Sequence, residues 1–286
     1  MPAITPLAIT PLAPALAARI EGLDLAAGLT PAQAAALRDA LARFQVLVIP
    51  APHITDAAQI AFSEGFGPLE QTRPGADGAG SKLIVLSNNG PDGAIAPPTA
   101  RQMLNGRANQ SWHHDSSFKP VPAHVSILSA REIPSAGGNT EFASMRAAYA
   151  ALDPAEQARL QGLSAIHDFA WSRHRVDPAL VTDAEAAAHP PVRHPVLYHA
   201  NPHGPALYLG AHARGIDGWD DAASRALIDR LMATATQPGF VYSHRWVPGD
   251  VLVWDNRAVL HRATPFAATG ERRRMVRTTV AGTPVT

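Results

Sequence analysis

Short runs of apolar residues, separated by polar segments rich in proline and glycine, divide this chain into the elements that it is expected to form. The run Val46–Ile49 stops at Pro50 and predicts a strand. A helix is predicted before it, ending near Phe44, since Thr30, Pro31 and Gln33 supply a capping hydroxyl, a first-turn proline and a capping-box partner. The same signals predict helices after Thr55, after Asp153 and over residues 222–234, and strands over residues 83–86, 240–245, 250–254 and 273–280.

Two long stretches, residues 71–110 and 169–205, are rich in proline and glycine and are predicted to be largely irregular. Stretches of this length inside a folded chain are typical of active-site lids. The repeat at residues 4–13 contains prolines and predicts an extended arm or edge strand. The short strands, with helices between them, predict an α+β fold around a β-sandwich or jelly roll. No change in composition suggests a boundary, so residues 1–286 are expected to form one domain.

Composition excludes several classes of protein. The 24 basic residues balance the 24 acidic ones, so the chain lacks the charge expected of a protein that binds nucleic acid or an anionic membrane. It has no cysteine, which excludes disulfides and thiolate chemistry. No apolar run approaches the ~20 residues that span a bilayer. We therefore expect a cytoplasmic protein without nucleic-acid or membrane partners.

The candidate chemistry lies in two segments, Trp112–Asp115 and Trp254–His261. His113 and Asp115 are two residues apart, a spacing that places both side chains on one face of a strand. With His261 they would supply two imidazoles and a carboxylate, the ligand set of non-haem Fe(II) oxygenases. An ordinary polar pair on a solvated strand edge is the alternative for His113 and Asp115 alone, and zinc hydrolases use the same ligand types.

Three further segments favour the iron site over these alternatives. They are residues 137–142, 249–257 and 271–279, which read GGNTEF, GDVLVWDNR and ERRRMVRTT. Together with the two histidine segments, in this order, they resemble the Fe(II)/2-oxoglutarate-dependent dioxygenases of the taurine dioxygenase and 2,4-dichlorophenoxyacetate dioxygenase family. The resemblance covers residues 12–282. It implies a double-stranded β-helix core, a jelly roll like that of the cupins, with flanking helices and long lid insertions. Residues 108–118, 210–213 and 244–246 resemble the phenoxyacetate branch more than the taurine branch.

The resemblance also implies roles for individual residues. His113, Asp115 and His261 become the iron ligands, whereas His114 would point to the opposite face of its strand. Five further histidines lie in segments predicted to be irregular or helical, and they are predicted to be surface or lid residues: His167, His174, His189, His194 and His203.

Arg273 and Thr140 match the residues that hold the distal carboxylate of 2-oxoglutarate. Arg277, Asn109 and His199 match substrate-contacting positions. If residues 272–279 form a strand, alternation places Arg273 and Arg277 on one face. The alternative for this arginine run is a solvated edge strand.

The implied activity uses Fe(II), 2-oxoglutarate and O₂ to hydroxylate a small anionic organic substrate. An aryloxyalkanoate such as 2,4-dichlorophenoxyacetate would give a phenol and glyoxylate, with succinate and CO₂ from the co-substrate. Two alternatives remain: an alkylsulfonate such as taurine, releasing sulfite, and a non-catalytic 2-oxoglutarate sensor. The resemblance further implies a homo-oligomer.

Overall fold

The computed structural model describes residues 7–72, 80–90, 92–199, 202–266 and 270–283. Its α-helices are α1 (Pro31–Phe44), α2 (Asp56–Glu64), α3 (Arg101–Ala108), α4 (Met145–Ala150), α5 (Pro154–Leu160), α6 (Phe169–His174), α7 (Asp183–Ala188) and α8 (Asp221–Ala235). Its strands are β1 (Ala8–Pro11), β2 (Ala18–Glu21), β3 (Val46–Pro50), β4 (Ile84–Ser87), β5 (Ala123–Glu132), β6 (Thr140–Ser144), β7 (Ser164–His167), β8 (Val192–Pro195), β9 (Leu197–Tyr198), β10 (Ala206–Leu207), β11 (Ala213–Ile216), β12 (Val241–His244), β13 (Asp250–Asp255), β14 (Val259–Ala263) and β15 (Arg274–Ala281). The fold is α+β, as predicted.

The helix starts follow the capping chemistry that the sequence predicts. The Thr30 hydroxyl accepts a hydrogen bond from the backbone N–H of Gln33, and the Gln33 side chain accepts one from the Thr30 N–H, so α1 opens with a complete capping box. Thr55 caps α2 and Asp153 caps α5 in the same way, each through one side-chain oxygen. The predicted helices over these segments are confirmed.

The larger sheet has seven strands in the order β1-β2-β3-β13-β5-β15-β4. Neighbouring strands are antiparallel, except that β2 and β3 run parallel. The central strand β13 is buried at all six positions. Val251 and Val253 face an apolar cluster that includes Leu37 of α1 and Phe62 of α2, so these helices cover one side of the sheet.

The opposite side of β13 meets a smaller sheet with the order β12-β6-β14. Trp254 of β13 packs in one apolar cluster with Phe142 of β6 and Val259 of β14. The two sheets therefore face each other across a shared core, as in a sandwich. This arrangement places β6, β14 and β15, which carry several candidate residues, around the same space.

Residues 71–110 and 169–205 contain more regular structure than predicted. Helix α3 lies in the first stretch, and α6, α7, β8 and β9 lie in the second. The start of α3 carried no signal because its cap position is Ala100, which makes no side-chain capping bond. The start of α7 does have a capping box, Thr182 with Glu185, so the prediction of an irregular segment there was wrong.

Some predictions fall on parts of the chain that lie outside the described residues. These are residues 4–6 of the N-terminal repeat and the glycine- and proline-rich residues 73–79. Within the rest of the repeat, Ala8–Pro11 forms β1, which lies at the edge of the larger sheet, in agreement with the predicted extended edge segment. Of the helices that the structure describes, none combines the length and apolar character that crossing a bilayer would require.

Candidate active site

An isolated β-bridge brings the two histidine segments together. The backbone N–H of His113 donates to the carbonyl oxygen of His261 at 3.0 Å, and the N–H of His261 donates back to His113 at the same distance. His261 lies on β14, whereas His113 pairs only through this bridge and is not part of any strand. The prediction that His113 and Asp115 lie on a regular strand was therefore wrong, because the chain turns at Ser116, which has a left-handed φ of 55°.

The three predicted ligands nevertheless converge. One donor atom from each of His113, Asp115 and His261 lies within 4.8 Å of the other two. The Asp115 carboxylate oxygens lie 4.0 Å from Nε2 of His113 and 3.7 Å from Nε2 of His261. All three side chains are buried. The Nδ1 of His113 lies 2.7 Å from the carbonyl of Ser111, and an N–H there leaves the Nε2 lone pair free for a metal.

The protonation states also suit a divalent cation. Burial lowers the pKa of His113 and of His261, which keeps both imidazoles neutral near pH 7. Burial alone would raise the pKa of Asp115, but Arg277, the two histidines and Ser126 outweigh it and hold that pKa well below its usual range. A metal needs deprotonated ligands, so two neutral imidazoles and one carboxylate fit it.

His114, predicted to point to the opposite face, is not among the converging donors. Its ring stacks on Tyr208 with centroids 4.4 Å apart, and only 1% of the residue is exposed. Burial lowers its pKa to about 4. His114 is therefore a neutral packing residue behind the site.

Arg277, the predicted anion-binding residue, forms an ion pair with Asp115 through one guanidinium nitrogen. Its side chain is 15% exposed and lies on β15 beside the carboxylate. Arg277 therefore stands next to the three converging side chains, with one of its nitrogens already engaged.

Arg273 has a different environment. Its side chain donates to the carbonyl of Gly138 at 3.2 Å, and its buried Nε makes no hydrogen bond to the described residues. Burial alone lowers the pKa of Arg273 to about 10, and none of the ion pairs found among the described residues includes it. A buried guanidinium without a carboxylate is costly unless an anion joins it.

A cavity of about 400 Å³ joins these groups. Seven of the eight predicted site residues line it: His113, Asp115, His261, Thr140, Arg273, Arg277 and Asn109. Thr140 is buried on β6, where its hydroxyl accepts a hydrogen bond from Nε1 of Trp246 at 3.1 Å. His199 is exposed and is not among the lining residues, so the structure does not bring it to the site.

Sequence reasoning missed several residues of the cavity wall. His212 is 3% exposed, lines the cavity and has its Nδ1 2.7 Å from the hydroxyl of Ser172. Phe118, Phe169 and Phe266 contribute aromatic surface to the same cavity. The segment around His212 resembled the phenoxyacetate branch, and that resemblance was the one available signal for this residue.

Comparisons with known proteins agree with this geometry. The description of the matching family is "Taurine catabolism dioxygenase TauD, TfdA family", and its model covers residues 8–279. The chain is 39% identical over 269 residues to the alpha-ketoglutarate-dependent 2,4-dichlorophenoxyacetate dioxygenase of Cupriavidus pinatubonensis, covering 92% of this chain and 93% of that one. It is 37% identical over 289 residues to the (S)-phenoxypropionate/alpha-ketoglutarate-dioxygenase of Sphingobium herbicidovorans, covering 96% and 95%.

Among solved structures, the chain is similar to AAD-2 in complex with Mn(II) and N-oxalylglycine. The TM-score is 0.90 at 38% sequence identity, and the match covers 99% of both chains. Alpha-ketoglutarate is another name for 2-oxoglutarate. This chain belongs to the taurine catabolism dioxygenase TauD, TfdA family, and it is an oxidoreductase that uses Fe(II), 2-oxoglutarate and O₂.

Proposed function

We propose that this enzyme hydroxylates an aryloxyalkanoate, with His113, Asp115 and His261 as the ligands of its iron. The ligand assignment is supported by the convergence of the three donor atoms and by the neutral state of both imidazoles. Two histidines and one carboxylate leave coordination positions for other ligands. Iron bound there would activate O₂ for the oxidation of 2-oxoglutarate and of the substrate.

We assign the distal carboxylate of 2-oxoglutarate to Arg273 and Thr140. The observation that carries the proposal is the half-buried Arg273, whose buried Nε has no hydrogen-bond partner and whose guanidinium has no carboxylate partner among the described residues, and which lines the same cavity as the ligands. A carboxylate can accept two parallel N–H bonds from such a fork. Thr140 offers its hydroxyl from β6 as a further donor.

Support for the proposed substrate class comes from other residues that line the cavity. Phe118, Phe169 and Phe266 provide aromatic surface suited to an aryl ring. Arg277 and His212 are among the polar groups that line the cavity, and we assign the anionic end of the substrate to them because Arg277 lies beside Asp115 and His212 beside Phe118. The two similar enzymes described above are named for phenoxyacetate and phenoxypropionate substrates, which have this combination of ring and carboxylate.

The side chains of the cavity would therefore bind and orient 2-oxoglutarate and the substrate, whereas the bound iron would supply the oxygen chemistry. Arg273 and Arg277 hold the two anions, and the aromatic wall excludes water from the substrate. For an aryloxyacetate, hydroxylation of the carbon beside the ether oxygen gives a hemiacetal. This product breaks down to a phenol and glyoxylate, while the co-substrate leaves as succinate and CO₂.

We further propose that residues 1–286 form one domain and that its two facing sheets are the halves of a double-stranded β-helix. Support comes from the shared core of β6, β13 and β14 and from a single family match over residues 8–279. A homo-oligomeric state, a cytoplasmic location and the absence of nucleic-acid partners stay predictions from the sequence.

A product analysis tests the substrate class. Purified enzyme with Fe(II), ascorbate, 2-oxoglutarate and O₂ is given either phenoxyacetate or taurine. We expect phenol and glyoxylate in step with succinate, and no sulfite. Sulfite from taurine, with phenoxyacetate inert, would contradict the aryloxyalkanoate assignment and leave the co-substrate chemistry intact.

Arg277→Ala tests the anion-binding residue. We expect the KM for phenoxyacetate to rise roughly tenfold or more, as loss of one charge-assisted hydrogen bond of ~1.5–3 kcal/mol implies. The KM for 2-oxoglutarate should change much less. An unchanged KM for phenoxyacetate would contradict the assignment of Arg277.

A further inference from the structure

The loop between β13 and β14 carries a buried asparagine whose amide touches the Asp115 segment. Asn256 is fully buried, and its Oδ1 accepts two hydrogen bonds, from the backbone N–H of Asp115 at 3.1 Å and from Nε1 of Trp254 at 3.0 Å. Its Nδ2 donates to the hydroxyl of Ser126 at 3.0 Å. The Ser126 hydroxyl in turn donates to Oδ2 of Asp115 at 2.7 Å.

The direction of every bond in this network is determined. Two N–H donors point at the same side of the Asn256 amide, so that side is the oxygen and the other side is the NH₂ group. The Ser126 oxygen accepts from that NH₂ group, and its single proton is left for the Asp115 carboxylate. Ser126 is fully buried on β5, directly opposite Trp254 of β13. No solvent competes for these bonds.

The network fixes both the main chain and the side chain of Asp115. Asn256 binds the Asp115 backbone directly, and it orients the carboxylate through Ser126. The constraint matters here because no regular strand holds Asp115 and the next residue, Ser116, has a left-handed φ. The loop that contains Asn256 also leads into β14 and hence to His261. One residue thus links the two segments that bring the candidate ligands together.

We propose that Asn256 and Ser126 are positioning residues that hold the Asp115 carboxylate in its metal-binding orientation. The inference rests on the proposed role of His113, Asp115 and His261 as iron ligands. Residues that orient a metal's ligands typically contribute 10–100-fold to metal affinity. A purely structural role, such as satisfying Trp254 in the core, would affect folding stability and leave metal affinity unchanged.

The test is an anaerobic titration of metal-free protein with Co(II), read out by the Co(II) absorption spectrum and by calorimetry. Ser126→Ala is the principal variant, since it removes one hydroxyl and adds no bulk. We expect its Kd for Co(II) to rise roughly 10–100-fold, with a shifted spectrum. Asn256→Ala should weaken binding at least as much. The double variant should be no weaker than Asn256→Ala alone, because Asn256 acts on the carboxylate through Ser126.

Ser129→Ala is the matched control. Ser129 is also fully buried on β5, and its hydroxyl donates a hydrogen bond to Oε1 of Gln59 at 2.7 Å. The variant therefore loses a comparable buried hydrogen bond that does not involve Asp115. We expect its Kd to equal that of wild type. A wild-type Kd for Ser126→Ala, or an equal loss in Ser129→Ala, would overturn the inference. Wild-type protein that binds Co(II) no better than His113→Ala would instead overturn the ligand assignment. The comparison of Ser126→Ala with wild type and Ser129→Ala is sufficient by itself, so the inference can be tested even if Asn256→Ala does not fold.

Discussion

Gly138 determines how closely Arg273 can lie against the main chain. It has a left-handed φ of 67°, and a Cβ atom there would lie 3.2 Å from Nε of Arg273. The Gly138 carbonyl also accepts a hydrogen bond from the same guanidinium. Glycine is therefore favoured both by the backbone conformation and by the close approach of the arginine.

Gly138→Ala should raise the KM for 2-oxoglutarate roughly tenfold, because displacing Arg273 weakens a charge-assisted contact of ~1.5–3 kcal/mol. Gly162→Ala is the control: Gly162 has a φ of 73°, and a Cβ atom there would meet no other atom within 4 Å. Both variants should lose similar stability from the left-handed backbone, ~1–2 kcal/mol. Equal KM values for the two variants would contradict the proposed role of Arg273.

Among individual residues, the sequence predicted those whose chemistry is specific and missed those that matter only because the fold places them on the cavity wall. His113, Asp115 and His261 could be identified because the ligand types and their order along the chain are distinctive. His212 could not, since the resemblance of its segment to the phenoxyacetate branch gave this one histidine among 13 no role until folding places it on the cavity wall. His167 and His194 were predicted to be surface or lid residues, yet both are buried, so that prediction was wrong.

Among the elements, capping chemistry predicted α1, α2 and α5, whereas α3 and α7 were not predicted, although α7 opens with a capping box. Helix α3 begins at Arg101 without a side-chain cap, and its cavity face carries polar residues, so neither periodicity nor capping marked it. Strand β15 was predicted to within one residue at each end. Its register, however, shifts between Arg274 and Met275, an irregularity that depends on its partner β5.

An ion pair connects two of the unpredicted helices, since Arg101 of α3 contacts the carboxylate of Glu185 on α7. Arg101 also lines the cavity, and Leu104 of α3 packs against Leu180, just before α7. Glu185→Gln removes the charge but keeps a side chain able to complete the capping box with Thr182.

We expect Glu185→Gln to raise the KM for phenoxyacetate by at most about fivefold, because a partly exposed ion pair contributes ~1 kcal/mol or less. The KM for 2-oxoglutarate should not change. Asp183→Asn removes an exposed charge from the same helical turn and should leave both values unchanged. The same rise in both variants would show that the charge of α7, rather than its contact with α3, affects binding.

For the whole molecule, the sequence predicted the α+β class but not how the chain assembles its site. His261 follows Asp115 by 146 residues, and only the pairing of β14 with β6 and the bridge to His113 bring them together. Such non-local pairing leaves no local pattern in the sequence. The resemblance to known dioxygenases supplied the information that periodicity lacked.

The buried histidines should make the stability of the metal-free protein depend on pH. Burial holds the pKa of His167 well below its ordinary value of about 6.5, and His194 and His114 lower it further. Below pH 6.5 the unfolded chain therefore binds protons that the folded chain does not. The free energy of unfolding should fall as pH falls, by up to about 1.4 kcal/mol per pH unit for each such group.

Urea unfolding of metal-free protein between pH 7.5 and 5.5 checks this dependence. His167→Phe should unfold with a slope against pH that is smaller by as much as about 1.4 kcal/mol per pH unit. His174→Phe, at an exposed position on α6, should keep the wild-type slope. A wild-type slope in His167→Phe would mean that His167 is protonated in the folded protein.

His113, Asp115 and His261 are expected to support an oxidation that depends on 2-oxoglutarate. The ratio of succinate released to O₂ consumed tests this expectation without an intermediate assumption about the substrate site. O₂ consumption and succinate release are measured together, with Fe(II), 2-oxoglutarate and phenoxyacetate. We predict one succinate for each O₂ in wild type and in His174→Ala, and background rates in His113→Ala and His261→Ala. Wild-type protein that consumes O₂ without releasing succinate, or a His113→Ala variant with full activity, would contradict this role of the three residues.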